Sequence, residues 1–320
     1  MANKQFDNME IASYTDITAL LSVIQDNTVE STYWKYKLYG NISWEYGTNT
    51  MYHCGKYEHF SYKEFEDERI ILHKLPQDSS IEEIKDYLDK QYLVLCPINT
   101  KTLGHTALEF RHNVLITGYG ENGFVVYDFW APSFNWKFLE IEEKKLFGCI
   151  DFSNDETVQS FYVFMKNEQY EGKAVKLSIE KLSRIYINDW NIEKNGQYDI
   201  EKNAYADSAY EQMCNHLNTI TRFTISDCQN LHVIYDHFIF SHNCLKHLFG
   251  DNEEIQELIN IYDELTKRAL KVRKRAFKYY VAKKNIESIR EEIIEEILDM
   301  CSIERKKRSD FLASIGGNIL

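Results

Sequence analysis

His112 and Asp128 are the residues of this chain whose types and spacing could do chemistry. They sit in the stretch RHNVLITGYGENGFVVYDFWAP, residues 111–132. Two apolar runs flank Gly120-Glu121-Asn122-Gly123; the histidine opens the first run and the aspartate closes the second. Strand-like runs joined by a Gly-containing turn read as a β-hairpin. Antiparallel pairing brings the start of one strand beside the end of the next, so imidazole and carboxylate come to the same end of a sheet. A carboxylate there can fix the imidazole tautomer and leave the other ring nitrogen facing a reaction centre as a general base. The plain alternative is a surface hairpin in which the two residues are incidental.

A thiol nucleophile would complete such a pair. The seven cysteines (54, 96, 149, 214, 228, 244 and 301) are odd in number, widely spaced and without a CxxC pair. This pattern suits free thiols rather than a disulfide framework. Cys96 lies in an apolar run just before Pro97 and reads as core. Cys54, in MYHCGKYEHF, reads as part of a polar, aromatic loop and is the first-domain thiol expected to be exposed. Further on, Cys228, His232, His237, His242, Cys244 and His247 have metal-ligand chemistry. Histidines at five-residue steps rotate by roughly 140° each around a helix and so do not share a face. Two half-sites, Cys228–His232 and Cys244–His247, could meet across a turn. Polar positions distributed around a helical hairpin are the preferred reading, with no metal.

The positioning elements divide the chain in two. In the first half, residues 13–25 and 79–89 read as short helices, the latter opened by a Ser80/Glu83 capping box. Strand-like runs follow at 92–98, 113–119, 123–129 and 161–165. All three prolines (76, 97 and 132) lie in this half, and their absence afterwards permits long helices. From Ile255, the positions 258, 259, 262, 265, 269, 272, 276, 279 and 280 keep three- and four-residue steps, as an amphipathic helix does. Ile286, Ile289, Ile293, Ile297 and Cys301 mark a second helix. The boundary falls near residue 170, in the polar stretch NEQYEGK, giving domains 1–170 and 171–320.

Charge narrows the partners. The net charge is −13, which disfavours general nucleic-acid binding. Residues 267–284, KRALKVRKRAFKYYVAKK, nevertheless hold nine Lys or Arg and no acid. Such a polarised surface either stays solvated or docks something acidic; Arg273, Lys274 and Lys278 are expected to be exposed there. The first ten residues hold no apolar signal core, and no apolar run nears the ~20 residues of a membrane span. The expectation is a cytoplasmic protein without a membrane partner.

The order helix, helix, strand ending at Pro97, then His–hairpin–Asp resembles the papain-like fold of the double-glycine leader cysteine peptidases. It is still more similar to the butirosin-type acyltransferases and amide synthases of peptide-antibiotic clusters. Their H-x-hydrophobic-x-hydrophobic-T-G-Y strand is matched by His112 with Ile116-Thr117-Gly118-Tyr119, and the acidic residue closing the next strand by Asp128 before Ala131-Pro132. The likeness covers about residues 8–165, with motif content at 112–132. It implies an α+β fold: a papain-like N-terminal domain with an antiparallel sheet packed on a helix, then an all-helical C-terminal domain.

In that family a cysteine starts the first helix, where the helix dipole lowers a thiol's pKa. Sliding the pattern over SYTDITALLSVI aligns Leu20 and Val23-Ile24 with its apolar positions and puts Thr15 in the nucleophile slot. A hydroxyl depends on base assistance far more than a thiol does, and Thr15 is equally a helix N-cap. The resemblance therefore implies one of three things: base catalysis by His112 on an acyl thioester, a catalytically silent binding subunit, or a nucleophile moved to Cys54. The donor would be an acidic acyl- or peptidyl-carrier protein, which itself carries the phosphopantetheine, so this chain needs no cofactor of its own. The acceptor would be a small amine. A peptidase is disfavoured by the missing thiol.

Overall fold

The computed structural model describes residues 28–54, 70–76, 79–99, 111–130, 135–150, 162–170 and 203–315. It is an α+β protein with antiparallel sheets and several helices, arranged as two compact units. Among the described residues no helix is long and apolar enough to cross a membrane.

The first unit is built on a six-stranded antiparallel sheet. Its strands are β3 (Ile70–Lys74), β4 (Leu93–Asn99), β5 (Arg111–Gly120), β6 (Gly123–Trp130), β7 (Asn135–Ile141) and β8 (Tyr162–Lys166), in the order β3-β8-β4-β5-β6-β7. Strand alternation explains the core. Val94, Cys96 and Ile98 on β4 pair with Ile116, Val114 and His112 on β5, and Ile116 pairs with Val126 on β6. Ile84 and Leu88 of α2 (Ile81–Asp89) and Leu146 of α3 (Glu143–Phe147) join that apolar layer. Leu93, Leu95, Leu115, Tyr127, Tyr162 and Phe164, of the opposite alternation, are buried too. The expected capping box starts α2: the Glu83 N–H donates to Ser80 Oγ at 3.2 Å and the Ser80 N–H to Glu83 Oε2 at 2.7 Å. The expected hairpin turn joins β5 to β6. Gly123 has φ +142° there, and a Cβ would lie 2.1 Å from the Ile141 carbonyl oxygen, so only glycine fits.

The second unit holds α1 (Val29–Tyr39), β1 (Asn41–Glu45), β2 (Thr50–Cys54), β9 (Asn203–Tyr205), α4 (Asp207–Thr219), α5 (Ile225–Phe249), α6 (Glu253–Val281) and α7 (Arg290–Ile315). It is not all-helical. A three-stranded antiparallel sheet, β2-β1-β9, lies within it, and buried Ile42, Trp44 and Met51 tie the sheet to helices α4 and α5. The chain therefore crosses between units before residue 70 as well as near residue 170, and α1, β1 and β2 pack with the C-terminal helices. The two long helices appear, but the second starts at Arg290, so Ile286 and Ile289, expected on its stripe, are buried just ahead of it. Ile255, Leu258, Ile259, Tyr262, Leu265, Ala269, Val272 and Ala276 are buried on α6; Ile293, Ile297 and Cys301 are buried on α7.

Candidate functional site

The hairpin of the first unit is built as the spacing requires. His112 lies opposite Ile98 in the backbone pairing, in the same alternation as Val114 and Ile116. Asp128 follows Val126 and Tyr127 on β6, and Tyr127 pairs with Leu115. Positions 112 and 128 thus fall at the same end of adjacent antiparallel strands and on one face of the sheet. Asp128 is fully buried, unlike the incidental carboxylate of a surface hairpin. A carboxyl at such a depth needs a partner, and Asp128 has one. The side chain of His112 and the whole of Thr15 lie outside the described residues.

The thiols sort by burial. Cys96 is core, as expected, and Cys149 joins it; burial raises the pKa of both thiols. Neither has the ionisation a nucleophile needs. Cys54 is not a loop residue of the first domain. Its backbone ends β2, opposite Asn41, in the second unit. TMYHC pairs residue by residue with NISWE, from Asn41 opposite Cys54 to Glu45 opposite Thr50, and this strand pairing outweighs the polar composition.

The second unit places other histidines against carboxylates. His216 Nε2 lies 2.6 Å from Asp227 Oδ1, and Asp227 Oδ2 accepts from the Thr224 N–H and hydroxyl at the start of α5. His232 Nε2 lies 3.1 Å from Asp236, one turn along the same helix. His237 reaches Glu304 on α7 at 2.9 Å. Glu304 is the centre of a buried cluster. It accepts from Tyr262 on α6 at 2.8 Å and Tyr210 on α4 at 3.1 Å, while the Arg308 guanidinium lies 2.7 Å away and donates through Nε to the Tyr262 oxygen at 2.6 Å. Four helices meet there. Burial pushes the Glu304 carboxyl up, but Arg308, His237 and the hydrogen bonds outweigh it and hold the pKa at about 2.

Cys228, His232, His237, His242, Cys244 and His247 all lie on α5, a single 25-residue helix, so no turn brings the two half-sites together. No Gly or Pro interrupts residues 225–249, and the helix continues straight through the expected hairpin. Among the described residues no group of three or more His, Cys, Asp or Glu is placed to hold a metal ion.

Arg273 is not exposed as expected. It packs over the Tyr235 ring at 5.4 Å, and its partial burial lowers its pKa. The Thr224/Asp227 capping box had a local signal, T-x-x-D before an apolar run. The Glu304 cluster had only the four-residue spacing of Glu304 and Arg308; Tyr262, His237 and Tyr210 lie 42, 67 and 94 residues from Glu304 in sequence and carried no local signal.

The His216–Asp227 pair gives a pH dependence. Burial pushes the Asp227 carboxyl up, but the bonds from His216 and Thr224 outweigh it and leave the pKa below its ordinary value. A depressed carboxylate stabilises the fold above the unfolded pKa of about 3.9 and loses that contribution as pH falls through the folded value. Asp227→Asn is expected to cost about 1–2 kcal/mol at neutral pH. The difference from wild type should vanish in acid, where the native carboxyl is itself protonated. Urea unfolding followed by circular dichroism across the acid limb checks this; a penalty that persists undiminished in acid would refute it.

No protein-family model matches this chain, and no curated protein matches it either.

Proposed function

We propose that this chain is an amide- or ester-forming acyltransferase-like protein of peptide or natural-product assembly, with a papain-like first domain. The donor is an acyl or peptidyl thioester on an acidic carrier protein, and the acceptor is a small amine. His112 is the base, Asp128 its orienter, and Thr15 lines the site. The observation that carries this reading is the hairpin: positions 112 and 128 share one end and one face of the sheet, and Asp128 is fully buried.

Core burial of Cys96 and Cys149 favours chemistry without an acyl-enzyme. The amine nitrogen attacks the thioester carbonyl as His112 removes its proton. The C–N bond forms, the C–S bond breaks, and the imidazolium returns the proton to the leaving thiolate. The same burial also favours a second reading, a catalytically inactive papain-like subunit that docks a carrier protein or partner enzyme.

Incubation of the full chain with acyl-loaded carrier protein and a panel of small amines separates the two. Amide product and released carrier thiol, with no acyl adduct on the chain by intact mass, is the expected result. An adduct on Thr15 or Cys54 would overturn the base-only chemistry. Carrier binding without turnover would leave the binding subunit.

A further inference from the structure

The basic run of α6 separates into cations that the fold uses and cations that it does not. Lys267 pairs with Asp263 at 2.5 Å; Arg268 lies 2.6 Å from both Glu296 and Asp299 of α7; Arg275 pairs with Glu292. Arg273 covers Tyr235, and Lys284 lies over Tyr279 at 5.7 Å. Past the end of the helix Lys283 is also exposed without an ion pair; on α6 itself Lys271, Lys274 and Lys278 remain exposed, and none has an ion pair among the described residues. They are spaced by three and four residues, so they form one stripe about 10 Å long. A helix dipole favours cations only in its last turn. That accounts for Lys278, near the end of α6 at Val281, but not for Lys271 or Lys274. Val281 continues the stripe three residues beyond Lys278 and is 57 % exposed, the most open of the exposed large hydrophobics.

We propose that Lys271, Lys274, Lys278 and Val281 form a docking ridge for an acidic amphipathic helix of a partner protein. An occupant with acids at matching steps and an apolar residue one turn on meets all four side chains. Charge complementarity also sets its size. In the N-terminal half of α6, Lys267 and Lys307 pair with Asp263 and Glu257, while Glu253 and Glu264 keep their charge unpaired among the described residues, and the whole chain is at −13. A polyanion running past the ridge towards that half would enter a like-charged region within about one Debye length, ~8–10 Å. A compact helix touches the ridge alone. The ridge requires none of the chemistry proposed for the first unit, and its test reads binding without turnover, so either can fail separately.

The probe is a fluorescein-labelled synthetic helix with Glu at three- and four-residue steps followed by Leu. Its control is an isomer of the same composition with the Glu residues spread around the helix. Anisotropy with the full chain at low salt should show the ordered helix binding more tightly than its isomer. That preference should disappear at ~1 M salt, where the Debye length is about 3 Å. Combined Lys271→Gln, Lys274→Gln and Lys278→Gln should weaken binding about tenfold, the scale of several exposed ion pairs. Val281→Ser should weaken it a few-fold, and Lys283→Gln should leave it unchanged. Thermal melts of each variant should match wild type. Equal binding of the isomer, no binding at low salt, or an unaltered triple variant would overturn the proposal. So would tighter lysine-dependent binding of single-stranded RNA or of phosphatidylserine vesicles.

Discussion

Glu304→Gln is expected to lower the unfolding free energy by about 3–5 kcal/mol, the usual cost of breaking a buried ion pair from one side. Glu304 is 3 % and Arg308 2 % exposed. The substitution keeps the side-chain shape but leaves the Arg308 cation facing a neutral amide in the interior. It also weakens the bonds from His237, Tyr262 and Tyr210, which tie α4, α5 and α6 to α7. The companion test replaces both charges, as Glu304→Leu with Arg308→Met. Removing both charges removes the desolvation cost along with the attraction, so the double variant should be more stable than either single one. Urea unfolding of wild type, both single variants and the double variant forms the cycle. Additive losses would show that the two residues do not act as a pair. The charge also makes the cluster acid-sensitive. With the folded pKa near 2, its stabilisation is complete above the unfolded glutamate value of about 4.3 and fades as pH falls towards 2.

His112→Ala is expected to reduce amide formation by ~10²–10⁴-fold, the range for loss of a positioned general base, while Thr15→Ala keeps most of it. The asymmetry follows from the proposed chemistry, in which the attacking group belongs to the acceptor amine. Asp128→Asn should lose activity through the imidazole's orientation, with carrier binding unchanged. Equal losses in Thr15→Ala and His112→Ala, together with an acyl adduct, would point to a covalent route.

The amino-acid sequence determined the elements whose signals are local. The capping box at Ser80 and Glu83, the Gly120–Gly123 turn and the apolar steps of residues 255–276 each act within one turn of a helix or one pair of strands. All three appear in place. Placement of His112 and Asp128 at one end of one hairpin was legible for the same reason, since only two residues separate β5 from β6. The sheet β2-β1-β9 was not. β1 and β9 are buried at nearly every position and so show no two-residue period, and β9 joins β1 from more than 150 residues away.

Tertiary structure alone decided which charges are used. In the basic run every Lys and Arg looks alike, and α7 selects Arg268 and Arg275 while Tyr235 takes Arg273. It likewise decided that His237, rather than any neighbouring histidine, meets Glu304. A helix fixes which residues share a face, but the partner helix that this face meets depends on packing across the whole unit.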